Sequence, residues 1–299
     1  MKIFAPGYYK EFVCIADRCT HSCCIGWEID IDADTMKKYD SLTLPYGEKI
    51  RKSIENADEC PRFALCEGER CPHLDERGLC RIITNLGEDH LCNICREHPR
   101  FYNRVSQGFE AGLGLSCEEA ARLILSSDNY GEMAVVGETE DDFEVKEFDC
   151  VALRNELYSI LSNKKIPYVQ RIEEIYQMYD VSPKKNGDSL WREIMDSLEF
   201  LEESHRELFS CYTSDIVTPL EYEYVLERAL AYFVYRHTGA AENLEEWKTA
   251  LGFALFCERL LCSVLKKGDV SPCEAARIIS EELEYSEDNT EALKLEFMF

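Results

Sequence analysis

The sequence predicts a mainly α protein in two parts: a cysteine-rich module of loops and short helices that holds a metal or cluster, followed by a helical domain. Three observations carry this. Eleven of the sixteen cysteines fall before residue 118. From residue 150 onward, apolar residues recur at helical spacing. Between the two, Gly131, Gly137 and the acidic run Glu138-Thr139-Glu140-Asp141-Asp142 suggest a surface connection. The expected division is a cysteine-rich metal-binding domain over 1–125, an acidic linker over 126–149 and a helical domain over 150–299. A chain of 299 residues is longer than one compact domain usually is, which agrees with a division.

The first part is rich in turn formers, among them Pro45, Gly47, Pro61, Gly68, Pro72, Gly78, Gly87 and Pro99. Loops joining short helices, organised by ligation, are expected there. The opening Met1-Lys2-Ile3-Phe4-Ala5-Pro6-Gly7 has no apolar signal core, and the chain has no run of about 20 apolar residues. A cytoplasmic protein without a membrane span is the expectation. Thiols this dense in a reducing compartment point to metal rather than to disulfides.

Cys92-x2-Cys95 is the strongest single element, because two intervening residues let both thiolates reach one metal around a tight turn. Around it stand Cys14-x4-Cys19-x3-Cys23-Cys24, then Cys71 and Cys80, and Cys117 apart from the rest. Zinc sites favour two regular knuckles, whereas these spacings are irregular and suit an iron–sulfur cluster better; zinc remains the alternative. The C-x3-C-x2-C spacing of radical enzymes is absent, since Gly26 stands where a third cysteine would be required. Adjacent Cys23 and Cys24 diverge, so one of them is expected to ligate a given metal. His73 and His98 lie nearest the cysteines and could replace a thiolate. Ser116 and Glu119 fit a capping box at a helix start.

In the second part, Leu153, Leu157, Ile160 and Leu161 mark one helix, and Leu190 to Phe209 a second segment after Pro183 and Gly187. Leu226, Leu230 and Phe233 mark a third, and Ala250 to Leu265 a buried one. Ser271 then Pro272 reads as an N-cap with proline in the first turn. Cys150, Cys211, Cys257, Cys262 and Cys273 sit in apolar helical context and are expected to pack as small hydrophobes. The formal charge of −25, from 33 basic and 58 acidic residues, argues against nucleic acid as a partner. It suits solubility, or attraction to a lysine-bearing protein surface.

The run from Phe12 to Asp32, with Cys14, Cys19, Cys23-Cys24 and Gly26-Trp27-Glu28, resembles the N-terminal signature of the flagellin lysine-N-methylase family. Further blocks match in order: Arg70-Cys71-Pro72-His73-Leu74, Gly78-Leu79-Cys80-Arg81-Ile82, Leu91-Cys92-Asn93-Ile94-Cys95, His98-Pro99-Arg100-Phe101, Leu115-Ser116-Cys117-Glu118-Glu119 and Ala231-Tyr232-Phe233-Val234-Tyr235-Arg236-His237. His73 stands where the family usually has Phe, and Glu118 where it often has Pro. The cysteine core is also similar to domains described as zinc- or iron-chelating. The resemblance implies methyl transfer from S-adenosylmethionine to lysine side chains of flagellin with a [4Fe-4S] cluster. It implies Cys19, Cys23, Cys71, Cys80, Cys92, Cys95 and Cys117 as the pool of ligands, larger than the four that one cluster takes.

Lysine methylation needs a neutral amine, although free lysine has a pKa near 10.4. Glu28, Asp30 and Asp32 alternate with Ile29 and Ile31, which puts three acids on one face of a short strand. Glu28 and Asp30 are the candidate catalytic, lysine-docking residues; a solvated strand face is the simpler reading. Trp27 could stack on the adenine of the cofactor or on substrate, or pack against the metal loops. No glycine-rich nucleotide loop follows a strand, Gly112-Leu113-Gly114-Leu115 being only loosely like one, so the common α/β methyltransferase fold is not expected. Two competing readings are a zinc- or iron-chelating protein without methyl transfer and a thiol–disulfide oxidoreductase around Cys92 and Cys95.

Overall fold

The computed structural model describes residues 1–57, 60–140, 146–215 and 217–298. The architecture is mainly α, with small sheets. Two compact units form: Val13–Pro99, and Met1–Phe12 together with Arg100–Phe299. The first division thus falls at Phe12/Val13 and the second at Pro99/Arg100, whereas composition placed the changes after residues 125 and 149.

The Val13–Pro99 unit contains the helices Ala33–Ser41, Pro45–Lys52, Arg81–Leu86 and Asn93–Glu97, and the antiparallel strand pair Ile54–Ala57 and Cys60–Phe63. Asp32 caps the first helix by accepting from Thr35 N–H at 3.0 Å, and Pro45 starts the second. The expected alternation over 28–32 is present: Ile29 and Ile31 are buried while Glu28 and Asp30 face solvent. This segment runs along the Cys60–Phe63 strand, with Ile31 N–H donating to Pro61 and Phe63 N–H to Ile29. The buried core is small: Ile29, Ile31, Tyr39, Ile50, Phe63, Ile82 and two cysteines, Cys71 and Cys92.

The larger unit carries a four-stranded sheet in the order Arg100–Val105, Gly108–Leu113, Lys2–Pro6, Met133–Glu138. Gly108–Leu113 pairs antiparallel with the first and parallel with Lys2–Pro6, which pairs antiparallel with Met133–Glu138. The cysteine-rich unit is therefore inserted, in sequence, between two strands of one sheet, Lys2–Pro6 and Arg100–Val105, which flank Gly108–Leu113. Apart from the short strand expected over 28–32, strands were not expected in the first 125 residues, and Met133–Glu138 adds a sheet strand within the expected linker. Part of the acidic run, 141–145, lies outside the described residues. Gly112 serves packing: a Cβ there would lie 2.2 Å from the Phe101 ring.

Helices form in the later part of the chain where the periodicity predicted them. Cys150–Leu161, Glu223–Thr238 and the 24-residue Leu244–Lys267 are present, the last buried from Ala250 to Leu265. The two charges within that buried stretch form a pair, Glu258 with Arg259, and Tyr168 donates to Glu258 at 2.8 Å. Arg154 and Glu110 form a bidentate buried pair, at 2.7 and 2.5 Å. Ser271 caps Pro272–Glu284 as expected. Leu190–Phe209 is instead two helices, Gly187–Ser197 and Glu203–Phe209. The Ser116 capping box does not form: Cys117 takes the N-cap position of Glu118–Ser126, and Ser116 Oγ is buried without a hydrogen-bond partner among the described residues. The five late cysteines are buried or half-buried in this helical region. Among the described residues no helix is long and apolar enough to cross a membrane.

Candidate metal centre

Local pairing in the Val13–Pro99 unit gathers five cysteines from four separate stretches. Gly26, with φ near +80°, turns the chain after Cys23-Cys24 and donates to the Glu69 carbonyl at 3.0 Å. Cys71 N–H then donates to the Cys24 carbonyl at 2.8 Å, and Ile25 bridges to Arg70. This register sets Cys24 beside Cys71. From Cys71 the chain makes a tight loop: the Asp75 carboxylate accepts from Arg77 and Leu79 N–H, both at 2.9 Å, and Leu74 bridges to Cys80. Cys80 and Cys92 are the N-cap residues of Arg81–Leu86 and Asn93–Glu97. The one-turn helix after Cys92 brings Cys95 back, so that the two sulfurs lie 3.4 Å apart.

These thiols act on one another. Burial pushes Cys71 up to about 12, and the neighbouring Cys24, Cys80 and Cys92 push the same way. Cys80 is raised by burial, with Cys24 and Cys92 adding to it. Cys92 is held down by its hydrogen bond with Cys95, whose own thiol is pushed well up by the same contact. Cys24 is lowered to about 7: the hydrogen bond from Cys23 does most, and Ser22 and Arg70 add to it against the opposing effect of burial. Several thiolates packed in an apolar pocket repel one another, and a bound cation removes that cost. Soft sulfur donors of this kind suit zinc or an iron–sulfur cluster.

The expected ligand pool is only partly brought together. Cys71, Cys80, Cys92 and Cys95 converge, and Cys24 joins them. Cys23 is exposed and hydrogen-bonds to Cys24, and half-buried Cys19 donates to the His21 carbonyl at 2.9 Å. Cys117 belongs to the other unit. His73 is not a ligand: it is 3% exposed, Nδ1 shares a hydrogen bond with Tyr46 and Nε2 with Ser53, both at 2.9 Å, and its ring packs edge-on against Phe63. A histidine thus fits an aromatic position because both of its nitrogens are satisfied.

Glu28 accepts from Arg62 at 2.6 Å, and Asp30 bridges across to Arg62 through the backbone while its side chain faces solvent. Asp32 faces inward to cap helices, so the acidic edge consists of two residues rather than three. Trp27 is half-buried. Sequence reasoning missed the structural duty of Asp32 and chose Cys23 over Cys24; the adjacency of the two cysteines gave no basis for choosing between them. A further trio, His205, Glu281 and Glu282, has ligand atoms within 4.8 Å of one another. Its members are already engaged: Glu282 accepts from His205 and from Leu201 N–H, and Glu281 from Arg277.

The chain is 29% identical over 127 residues to the flagellar biosynthetic protein FliU of Salmonella muenchen, covering 40% of this chain and 75% of that protein. The same identity over 127 residues relates it to the lysine-N-methylases of Salmonella typhimurium and Salmonella choleraesuis. Over that segment the chain is similar to proteins named lysine-N-methylase. It spans 32% of the length of each of those two lysine-N-methylases. No family model matches the chain, and no solved structure matches it. The kinship agrees with the resemblance carried by the cysteine blocks.

Proposed function

We propose that this relative of the lysine-N-methylases is itself a lysine N-methyltransferase that acts on flagellin, uses S-adenosylmethionine, and holds a [4Fe-4S] cluster through four of the sulfurs of Cys24, Cys71, Cys80, Cys92 and Cys95. The observation that carries this reading is the convergence of those five thiols in a chain whose relatives are named for lysine methylation. Their spread favours a cluster over zinc. Four thiolates on one tetrahedral zinc stand about 3.8 Å apart. Among the described residues no three cysteine sulfurs lie within 4.8 Å of one another. A four-iron cluster takes one cysteine on each iron and so tolerates a wider ring. When bound, the cluster would supply Lewis-acidic or redox-active iron to the site.

The rest of the reading concerns the chain's own residues. Asp30 and Glu28 form an acidic edge for an incoming ammonium, with Arg62 holding Glu28 in place. Carboxylates hold a lysine in its charged form, so their part is docking; desolvation near the half-buried Trp27 would favour the neutral amine that accepts the methyl group. The net charge of −25 favours a lysine-bearing protein over nucleic acid as the partner.

The test is to incubate the protein, prepared without oxygen, with flagellin and S-adenosylmethionine, and to read lysine methylation by mass spectrometry. Methylated lysines that disappear with Cys92→Ala support the reading. Intact metal content without any methylation favours the second reading, a metal-chelating protein, which the short coverage of the lysine-N-methylases leaves room for.

A further inference from the structure

A metal centre built from buried sulfurs needs an entry path. Cys92 is 0% and Cys71 7% exposed, and Cys24, Cys80 and Cys95 are half-buried. The backbone of Cys24 is pinned against the other thiols. Its carbonyl accepts from Cys71 N–H at 2.8 Å, its own N–H donates to Ser22 Oγ at 3.3 Å, and the turn at Gly26 follows two residues on. The next residue outward, Cys23, is exposed, and its thiol hydrogen-bonds to the Cys24 sulfur. The two adjacent side chains therefore meet, where adjacency alone predicted divergence. Three other cysteines of this unit are exposed, Cys14, Cys60 and Cys66. Among the described residues none of these three hydrogen-bonds to a converging thiol; Cys60 turns to the Pro61 carbonyl instead, at 3.9 Å.

We infer that Cys23 is the entry thiol of the centre: it takes a soft divalent metal from a small thiol carrier and passes it to Cys24. Soft sulfur donors on both sides suit such a metal. In the first step the carrier's sulfur–metal bond breaks as the Cys23 sulfur–metal bond forms, and the Cys23 proton leaves on the released carrier thiolate. In the second, the bond passes from Cys23 to the Cys24 sulfur. Cys23 then takes up the Cys24 proton or, with Cys24 ionised, one from solvent. No electron changes hands, and Cys23 ends outside the ligand set. The inference rests on the reading of the converging thiols as a metal centre.

By microscopic reversibility the way in is also the way out. The test takes the full chain with its bound metal, prepared without oxygen, and adds an excess of the dithiol dimercaptosuccinate. The metal left on the desalted protein is followed with time. Cys23→Ser should start with the parent's metal content, which shows that its fold is kept, and should release metal about tenfold more slowly. Cys14→Ser and Cys60→Ser should release it at the parent rate. Release from Cys23→Ser at the parent rate overturns the entry role and leaves the metal centre standing. Equal slowing in Cys14→Ser or Cys60→Ser overturns it as well. A lowered starting content in Cys23→Ser makes Cys23 a resident ligand, which is a third way for the inference to fail. A parent that holds no metal sinks the metal centre and the inference with it, so the two failures are distinguishable.

Discussion

Asp32 accepts a hydrogen bond from the backbone N–H of Asn93 at 2.8 Å while it caps its own helix through Thr35. One carboxylate therefore fixes the start of Ala33–Ser41 and of the one-turn helix that presents Cys92 and Cys95. Burial works against its charge, but the N–H donors of Asn93 and Thr35 outweigh burial and hold its carboxyl below the usual range. Asp32→Ala should destabilise the protein by about 1–3 kcal/mol, and it should lower metal content, because the Cys92–Cys95 turn loses its anchor. Asp32→Asn keeps an acceptor and should recover most of both. Equilibrium denaturation with metal analysis of the same samples checks this, and an unchanged metal content in the alanine variant contradicts it.

Cys24, rather than Cys23 or Cys19, stands with the converging thiols. Cys24→Ala should therefore cut bound metal clearly, whereas Cys19→Ala should leave it near the parent level. Metal analysis of the two variants prepared in parallel decides the matter. Equal loss in both would place Cys19 in the site.

Acid should weaken the larger unit through one buried network. Glu284 accepts from His237 at 2.6 Å, from Tyr232 at 2.9 Å and from Arg236 at 3.2 Å. Burial holds His237 below its ordinary 6.5, so the unfolded chain takes up that proton first and stability falls as pH drops below about 6.5. Burial opposes the charge of Glu284, yet Arg236 and His237 hold its pKa below 4.5, so its contribution is present above that value and lost further into acid. Both slopes have the same sign. A full proton of difference is worth about 1.4 kcal/mol per pH unit. Urea midpoints should fall from pH 7.5 to pH 5, and His237→Gln should flatten that fall. A variant that keeps the parent slope would show that other groups set it.

Gly112→Ala should be destabilising by about 1–3 kcal/mol, because its new Cβ meets the Phe101 ring and the ring is wedged against Tyr235 and Arg236. Trimming Phe101 to Leu in the same chain should recover part of the loss. Thermal unfolding of the single and double variants reads this directly.

Much of the helical part was legible because its cores repeat at 3.6 residues: Leu153, Leu157, Ile160 and Leu161 do lie on one helix. The strands were not. Gly108–Leu113 is buried on nearly every residue, so it shows no alternation. Lys2–Pro6 pairs with residues 109 and 110, a separation no local pattern reveals. That pairing also hides the insertion of the cysteine-rich unit, and it is why the boundary at residue 99 was read as one near 125. At the site, Cys92 and Cys95 stood out by their spacing, and Cys71 and Cys80 only through the resemblance; Cys24 did not stand out, since only the pairing of Cys24 with Cys71 shows which of two adjacent thiols turns inward. Asp32 read as the third acid of a strand face because alternation does not distinguish an exposed carboxylate from one that caps two helices.

The most direct test of the metal centre is the iron, sulfide and zinc content of the full chain purified without oxygen, together with its visible spectrum. The account predicts about four iron and four sulfide per chain and a broad iron–sulfur absorption, both lost with Cys92→Ala. Zinc without sulfide, or a Cys92→Ala protein that retains its iron, would contradict it.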